Sequence, residues 1–479
     1  MTLSKLIEID EEKCVNCHRC ISVCPVKYSN DGSGDTVKIN EDLCIGCGQC
    51  IQACTHDARL PVDDFDIAMT GLQQGEKIIA IVAPAVAASF PQNYRKLNGF
   101  FQSLGVKAFF DVSFGAELTV KSYLEYIQKE KPVTVIAQPC PAIVSYIQIY
   151  QPELLPYLAP ADSPMLHAMK MVRIFYPQFK DYKMLIISPC IAKKREFDET
   201  GIGDYNVTML KIARYLEEKN IDLNMFSEVD FANDPAERAV MFSSPGGLLE
   251  TAEREVPGIR YQTRKIEGPE TIYDYLKKLP EQIEKQNSPL LIDCLNCDLG
   301  CNGGTGTLNH DKSPDELESL VKKRRKEMQE IHKTDSQNGE AHKTLQKLID
   351  KYWKEDLYDR KYKDLSHLYV KNVKPLASQQ LLDVYESLHK YEDSDIKNCP
   401  SCGYDSCENM AIAIHNNLNK KENCHFYIQH ENEELHGDLQ QKLNSVKESE
   451  DKLSIQKKEI IDQAEHFLEV LQKLKKYTE

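Results

Sequence analysis

The pattern of apolar and polar residues changes along the chain and divides it into four segments. The first holds short runs punctuated by cysteines, and from about residue 76 buried apolar runs alternate with amphipathic stretches. Cysteines recur in a small third segment, and the last segment repeats apolar residues every seven positions. Because 479 residues exceed what one core usually holds, the pattern predicts four domains: 1–60, 76–370, 375–430 and 431–479.

The second segment is typical of an α/β body. Four stretches each combine a buried strand, a turn and a polar or helical continuation: KIIAIVAPAVAASF, VTVIAQPCPAIVSYI, KMLIISPCIAKKREF and PLLIDCLNCDLGCNGG. In such folds the loops at the carboxyl ends of the strands hold the functional site. We expect four thiolates to converge there at one sheet edge, where they could hold an iron–sulfur cube. This inner set consists of Cys140, Cys190, Cys297 and Cys301.

The last segment predicts a coiled-coil helix. The apolar residues form two rows along the helix, and Glu450 and Lys457 occupy positions in the second row, which makes the apolar contact surface imperfect. A solvated single helix is the alternative, but an isolated helix gains little stability without a partner. We therefore expect dimerisation or docking onto a partner helix. The repeat comprises Leu439, Val446, Leu453, Ile460, Phe467 and Leu474, with Leu443, Ala464 and Leu471 four residues after some of them.

Composition limits the classes of protein that fit the chain. Apolar residues make up 41% and charged residues 28%, and no apolar run reaches the roughly 20 residues that span a bilayer. The first residues contain no apolar signal region, and a net charge of −15 without an evident basic face argues against nucleic acid as a partner. The 17 cysteines recur at C-x2-C spacing rather than as a disulfide framework. We expect a metal-binding protein of a reducing, oxygen-poor cytoplasm.

Two cysteine motifs repeat at the front of the chain. CVNCHRCISVCP and CIGCGQCIQACT both follow C-x2-C-x2-C-x3-C, a spacing in which three thiolates hold one 4Fe–4S cube and the fourth reaches another. Paired zinc sites are the alternative, but zinc rarely uses cysteines packed so tightly. We predict a first ferredoxin set of Cys14, Cys17, Cys20 and Cys54 and a second ferredoxin set of Cys44, Cys47, Cys50 and Cys24.

A further cysteine module precedes the heptad segment. Its spacing, C-x2-C-x4-C-x16-C, resembles a small 4Fe–4S module of Rnf-type electron-transfer subunits and corrinoid iron–sulfur proteins. Gly403 permits the tight turn between two ligands, and ENMAIAIHNNL is expected to form a short helix over them. Zinc is the alternative, because CPSC alone would suit a zinc knuckle. This C-terminal set consists of Cys399, Cys402, Cys407 and Cys424.

The three cysteine loops of the second segment resemble the signature loops of the iron-only (FeFe) hydrogenase catalytic domain. The family signatures TSCCPxW, MPCxxKxxE and ExMxCxxGCxxGG stand here as AQPCPAI, ISPCIAKKRE and DCLNCDLGCNGG. Further matches are FGAELT, YQPELLPYLAPADSP, SPGGLLETAER and the belt-like SPDELESLVKKRRKEMQEIHK. The resemblance implies an α/β hydrogenase-type catalytic body behind a ferredoxin-like domain with two 4Fe–4S clusters.

By this resemblance the inner set would ligate the cube of an H-cluster. Cys301 would also bridge to a two-iron subcluster carrying CO, cyanide and a bridging dithiolate. Lys193 matches the lysine that hydrogen-bonds an iron-bound cyanide, and an ammonium there can stabilise an anionic ligand. Glu196 matches a glutamate three residues further on, in a supporting role. With the C-terminal set, the chain would hold four 4Fe–4S clusters, and Cys294 is left as a buried structural thiol.

The chain departs from the family pattern around the proton chemistry. The cysteine that hands protons to the subcluster is replaced by Pro139, and the two relay carboxylates align with Tyr123 and Tyr126. Ala159 stands at the position of a relay serine. A positioned acid is typically worth about 10²–10⁴ in rate, so these losses predict weak or no hydrogen turnover. Other replaced positions are Ser188, Leu295, Ile143 and, most mildly, Asp293.

Three functions fit this pattern. The first is a sensory-type member of the family that senses redox state or hydrogen and reports through the coiled coil to a separate protein, since the chain ends at Glu479. The second is an active but slow hydrogenase that exchanges electrons with ferredoxin. The third is a cube-only electron-transfer subunit of a larger oxidoreductase complex. Whether the chain is an enzyme stays open, because the residues also fit a pocket with the cube alone, as in the eukaryotic hydrogenase-like assembly proteins.

Overall fold

The computed structural model describes residues 3–334 and 341–478. The chain divides into two compact units, of which the first comprises Met1–Pro375 with Asn416–Leu418. The second comprises Leu376–His415 with Asn419–Glu479. The predicted ferredoxin and α/β segments therefore share the first unit, whereas most of the cysteine module shares the second with the terminal helix. Residues 1, 2, 335–340 and 479 of the predicted domains lie outside the described residues.

The front of the first unit contains two short antiparallel strand pairs. Its elements are β1 (Ile7–Ile9), α1 (Arg19–Ser22), β2 (Asn30–Asp31), β3 (Lys38–Ile39), α2 (Gln49–Ala53) and β4 (Arg59–Pro61). Strand β1 pairs with β4, so that Ile9 lies opposite Arg59. Strand β2 pairs with β3. The cysteine motifs occupy the turns and short helices between the two pairs.

The body of the first unit alternates strands and helices. A connecting helix, α3 (Phe65–Gln73), precedes it. Its strands are β5 (Ile78–Val82), β6 (Phe109–Asp111), β7 (Val135–Ile136), β8 (Lys183–Ser188), β9 (Tyr205–Thr208), β10 (Thr263–Glu267) and β11 (Leu291–Leu295). Its helices are α4 (Val86–Ser89), α5 (Tyr94–Ser103), α6 (Val112–Glu130), α7 (Pro141–Tyr150), α8 (Pro164–Phe175), α9 (Lys193–Thr200), α10 (Met209–Glu218), α11 (Gly247–Glu255), α12 (Pro269–Glu284), α13 (Pro314–Thr334), α14 (Ala341–Tyr352) and α15 (Ser366–Asn372).

The strands of the body form two parallel sheets rather than the single sheet that the sequence predicted. The larger has the order β6-β5-β8-β9, and the smaller has the order β10-β11-β7. In the larger sheet Ile81 of β5 lies between Phe110 and Ile186. Helices cover parallel sheets on their faces, which explains the continuous apolar runs of β5 and β8. Apolar periodicity locates such strands but does not determine which of them pair.

Local sequence explains where two helices near the site begin. Asp111 ends β6 and caps α6, because its carboxylate accepts a hydrogen bond from the N–H of Ser113. Ser163 caps α8, since its hydroxyl accepts a hydrogen bond from the N–H of Leu166. Pro164 follows at the first helical position, where its missing N–H costs nothing. The carboxylate of Asp111 also accepts a hydrogen bond from the buried Arg324, and the hydroxyl of Ser163 also donates one to Glu196.

The second unit consists of a small cysteine module and a long helix. Its helices are α16 (Ser378–Ser387), α17 (Cys407–His415) and α18 (His425–Thr478). Helix α18 begins at His425 rather than at residue 431, directly after the last cysteine of the module. Gly403 adopts a φ of 85°, the left-handed conformation that the turn between two cysteines requires. Among the residues described, no helix is both long enough and apolar enough to cross a membrane.

Candidate functional site

The inner set of cysteines lines one cavity between the two parallel sheets. Cys190 follows β8 of the larger sheet, and the other three follow strands of the smaller sheet. The cavity encloses about 850 Å³, and its lining includes all four thiols. Gly300, with a φ of 59°, turns the chain between the last two cysteines, and a Cβ there would lie 2.5 Å from the carbonyl oxygen of Ser243. Only glycine allows the loop to approach so closely.

Burial disfavours the thiolate form of the inner cysteines in the absence of a compensating cation. Burial raises the pKa of Cys190 to about 11 and that of Cys301 to about 12, and the charge of neighbouring inner cysteines adds to each shift. Burial likewise raises the pKa of Cys297 well above its usual range, with further contributions from the charges of the other three. A metal cluster removes this penalty, because a coordinated thiol is deprotonated outright. The donor set therefore fits a cationic iron core.

Lys193 stands at the wall of the cavity within a buried polar network. Its ammonium donates hydrogen bonds to Oε2 of Glu196 at 2.5 Å and to the hydroxyl of Ser163 at 2.9 Å. The Ser163 hydroxyl donates to the same carboxylate oxygen at 2.9 Å. Arg360 donates to the other oxygen, Oε1, at 2.9 Å, and its second nitrogen reaches the partly exposed Glu199 at 2.6 Å. Glu196 therefore holds the ammonium at the cavity wall.

The positions that depart from the family pattern lie in or near this cavity. Pro139, Ser188 and Leu295 line it. Tyr123 is buried, and its hydroxyl accepts a hydrogen bond from the backbone N–H of Gln138 at 3.3 Å. Burial raises the pKa of Tyr123 well above its usual range, so this phenol does not exchange protons near neutral pH. Ala159 and Ile143 are buried apolar residues, whereas Tyr126 is half-buried.

The lining of the cavity is almost devoid of acids and bases. Apart from cysteines, Lys193 is the one ionisable side chain among the described residues that line it. Most other lining side chains are small or apolar, as at Ala83, Val112, Ala116 and Phe242. Such a surface suits small uncharged molecules and provides no general acid or base other than the tethered ammonium.

The two ferredoxin sets differ in exposure. The second ferredoxin set lines a cavity of about 300 Å³ with all four of its cysteines, Cys24, Cys44, Cys47 and Cys50. In the first ferredoxin set, the charges of Cys14 and Cys17 raise the pKa of Cys20, although less than its burial does. Cys17 is exposed, and Cys54 is half-buried. The first set thus lies at the surface, and the second set lies deeper.

The C-terminal set also surrounds one cavity. All four of its cysteines line a space of about 330 Å³, with Met410 of α17 and Phe426 of α18 beside them. Burial raises the pKa of Cys402. The neighbouring His425 also lines the cavity, but the four thiols already provide a complete ligand set for one cube.

The cysteine-lined cavities differ in size. The second ferredoxin and C-terminal cavities are nearly equal in volume. By the same measure, which includes space open to solvent, the inner cavity is between two and three times larger.

One side chain links the second ferredoxin set to the inner set. Asn296 donates a hydrogen bond to the carbonyl oxygen of Cys47 at 3.3 Å and approaches the sulfur of Cys297 at 3.5 Å. The hydroxyl of the buried Tyr273 donates to the amide oxygen of Asn296 at 2.6 Å and fixes its orientation. Cys47 itself lines the inner cavity. The two cysteine sets are therefore joined by a short, largely buried hydrogen-bonded path.

Sequence reasoning missed four residues of these sites: Asn296, Ser163, Arg360 and Arg59. Each is a single polar residue without a spacing motif, and Arg360 lies far from the others in sequence. Arg59 carried the clearest signal, because it is a basic residue within a short strand just after the second cysteine motif. The other three become visible only when the chain is folded.

Comparison with known families agrees with this architecture. Residues 76–305 match the family described as iron only hydrogenase large subunit, C-terminal domain. Residues 6–55 match the 4Fe-4S dicluster domain family. The chain therefore contains a region that matches the iron-only hydrogenase large subunit, preceded by a region that matches the 4Fe-4S dicluster domain. The predicted ferredoxin front and hydrogenase-type body are confirmed at this level.

Individual relatives fall into two groups. The chain is 26% identical over 293 residues to iron hydrogenase 1 of Clostridium pasteurianum. This alignment covers 52% of this chain and 51% of the relative. It is 23% identical over 326 residues to cytosolic iron-sulfur assembly component 3 of Rattus norvegicus. That alignment covers 54% of this chain and 67% of the rat protein. A solved FeFe-hydrogenase superposes with a TM-score of 0.49 at 18% identity, over 63% of this chain and 99% of that one. The chain thus spans about half the length of the clostridial hydrogenase.

Proposed function

We propose that this chain is an iron–sulfur redox protein whose inner cavity binds hydrogen or reports redox state, with weak or no hydrogen turnover. The supporting observation is the cavity itself. It is larger than the single-cube cavities, and Lys193 is the one ionisable group besides cysteine among its described lining residues. A site of this kind can hold an additional uncharged or tethered group, but it lacks a positioned acid and base for fast proton transfer.

The chain's own residues would have separate roles in this site. When bound, the clusters supply one-electron transfer, and a two-iron subcluster with CO, cyanide and a bridging dithiolate supplies hydrogen binding. Cys140, Cys190 and Cys297 would hold the cube, and Cys301 would also bridge to the subcluster. Lys193 would orient an anionic ligand with its ammonium, while Glu196 positions that ammonium.

Infrared spectroscopy tests the central part of the proposal. The chain would be purified without oxygen and matured with the two-iron cofactor. We expect stretching bands of iron-bound CO and cyanide, and we expect Lys193→Met to shift the cyanide bands. The variant Lys211→Met, which removes a surface ammonium, serves as the matched control. Intact cubes without such bands would refute hydrogen binding by this site.

Restoring the missing thiol tests the explanation for weak turnover. In matured protein, Pro139→Cys should raise hydrogen evolution, because a positioned proton donor is typically worth about 10²–10⁴ in rate. The gain should stay near the lower end, since the relay positions beyond it are still occupied by Tyr123 and Ala159. Pro141→Cys adds a thiol at another lining position and is the matched control. Equal rates for wild type and Pro139→Cys would show that the missing cysteine is not the cause.

The relatives favour two other functions. The match to iron hydrogenase 1 favours a slow, ferredoxin-linked hydrogenase, which would show measurable evolution of hydrogen without any substitution. The matches to proteins named as iron-sulfur assembly components favour a cube-only role in electron transfer or assembly. The infrared experiment separates these, because only the cube-only protein would keep its iron and lack CO and cyanide bands.

The proposal includes two partners: an electron-transfer protein and a second helix that pairs with α18. The exposed Cys17 and its neighbour Val15, 60% exposed, would present the first ferredoxin set to ferredoxin or to an oxidoreductase subunit. Helix α18 leaves its heptad side chains exposed, and we propose that it pairs with a second copy of the chain. A cytoplasmic location belongs to the same proposal, because free thiols persist in reducing compartments.

Deletion of residues 431–479 tests the role of the helix. Light scattering of the full chain should give twice the mass of one chain, and the deletion variant should give the mass of one. Substituting Leu453 and Ile460 by Ser should have the same effect, whereas Ser454→Ala on another face should not. A full-length monomer that binds a different protein through α18 would instead show that the helix serves a signalling partner.

A further inference from the structure

A buried arginine contacts the first ferredoxin set. Arg59 is the first residue of β4 and is only 3% exposed. Its Nη2 donates hydrogen bonds to the sulfur of Cys20 at 3.1 Å and to the carbonyl oxygen of Val37 at 3.0 Å. Strand β4 pairs with β1 in regular register, which fixes the backbone of Arg59 opposite Ile9.

Among the residues that the structure describes, no carboxylate pairs with this guanidinium. In the described part of the chain its hydrogen bonds go to a thiol and a carbonyl, and its Nη1 is buried without any hydrogen-bond partner. Burying a cation without an anion is strongly unfavourable, and a buried N–H group without an acceptor adds to this cost. The residue therefore requires an anion that the protein's own carboxylates do not supply.

The sulfur nearest to this charge belongs to the first ferredoxin set. Nη2 of Arg59 lies 3.1 Å from the sulfur of Cys20, a predicted ligand of that set. A thiolate at Cys20 would therefore supply the anion that the guanidinium requires.

We propose that Arg59 is a positioning residue that compensates the negative charge of the first ferredoxin cube and donates an N–H···S hydrogen bond to its ligand Cys20. It thereby raises the reduction potential of that cube, because the cube gains a negative charge when it accepts an electron from an external reductant. Hydrogen bonds to cluster sulfurs and nearby charge are among the factors that set such potentials. The inference rests on the predicted cubes, not on the chemistry of the inner cavity.

Redox titration followed by electron paramagnetic resonance tests the proposal on the full, cluster-loaded chain. In Arg59→Met the reduction equilibrium of at least one ferredoxin cube should become less favourable by about tenfold, which is about 59 mV for a one-electron couple. Arg19→Met removes an exposed arginine from the same domain, whose charge is screened by water, and should shift the potentials far less than Arg59→Met does. Arg59→Lys, which keeps the charge, should lie between wild type and Arg59→Met. Equal potentials in Arg59→Met and Arg19→Met would overturn the proposal.

A second measurement decides the case if Arg59→Met loses its clusters. Wild-type protein containing arginine labelled with the heavy nitrogen isotope should show a coupled nitrogen in pulsed resonance spectra of the reduced ferredoxin cubes. The coupling should disappear in Arg59→Lys and persist in Arg19→Met. Cubes that are present without a coupled nitrogen refute the role of Arg59 and leave the cluster assignment intact. Wild-type protein without any cubes would refute the cluster assignment itself.

Discussion

The polar network at the wall of the inner cavity allows a quantitative prediction. Lys193, Ser163 and Arg360 all direct hydrogen bonds at the carboxylate of Glu196. We consider three variants: Lys193→Met, Glu196→Gln and the double variant. Each single change removes one side of the ion pair, and the double change removes both, so the three together isolate the energy of the pair.

The size of each effect follows from what remains buried. In Lys193→Met the carboxylate of Glu196 keeps Arg360 and Ser163, so the loss is that of one charged hydrogen bond, about 1.5–3 kcal/mol. In Glu196→Gln two buried cations face a neutral amide, and the loss should be about 3–5 kcal/mol. In the double variant one of those cations is gone, and Arg360 retains Glu199. The combined loss should therefore fall short of the sum by about 1.5–3 kcal/mol.

Hydrogen exchange of the native protein measures these energies while the chain stays folded and the clusters stay bound. Peptides that cover α9 and the segment around Arg360 should show the losses as faster local opening. The surface pair Lys211–Asp66, with side chains 39% and 78% exposed, is the matched control. Its cycle should give a coupling of only about 0.2–1 kcal/mol. A coupling at the cavity as small as that of the control would mean that the ammonium does not pair with Glu196, and the assignment of Glu196 as its holder would be wrong.

Three further predictions concern single residues. Glu117→Gln breaks a buried pair with Arg254 at 2.5 Å and should cost about 3–5 kcal/mol in hydrogen exchange of α6. Burial alone would raise the pKa of Glu117, but Arg254 and two backbone N–H groups lower it below the unfolded value of 4.5. The ion pair therefore stabilises the folded protein at pH values above 4.5. The difference in stability between wild type and variant should vanish as the pH falls through the lower pKa of the folded state. Asn296→Ala removes the hydrogen bond to Cys297 and should lower the potential of the inner cube in a redox titration, while the other potentials stay unchanged. Cys294→Ala should leave the iron content unchanged, and native protein should resist alkylation at Cys294, because burial raises the pKa of this thiol well above its usual range; rapid labelling of Cys294 would contradict this.

Much of the site could be anticipated because its residues follow a strand or obey a strict spacing. The apolar runs that became β8 and β11 are continuous, since parallel strands are buried on both faces, and the cysteines after them could be located by that feature alone. Strand β7 is only two residues long, yet the run VTVIA marked its place. The pairing of these strands into two sheets was not predictable, because it depends on contacts between residues far apart in the chain.

The single polar residues around the site were not predictable for a different reason. Ser163 has three roles, as the cap of α8, as an acceptor for Lys193 and as a donor to Glu196, but in the sequence it is one serine before a proline. Arg360 joins the same network from a segment that shows no periodic pattern. Their importance comes from the need to satisfy every buried charge. That need exists only once the tertiary structure has excluded water.

The same network explains why the cavity would be slow in acid–base chemistry. A proton that leaves the cavity through Lys193 reaches Glu196 directly or through the Ser163 hydroxyl. The other oxygen of Glu196 already accepts from Arg360, whose guanidinium does not release a proton near neutral pH. The chain of hydrogen bonds therefore passes through a cation that does not release its proton before it reaches the partly exposed carboxylate of Glu199. A group held in the cavity would exchange electrons with the second ferredoxin set by way of Asn296, whereas proton transfer to and from that group would be slow. Coupling to electrons without coupling to protons suits a site that reports its state, and it argues against one that cycles hydrogen rapidly.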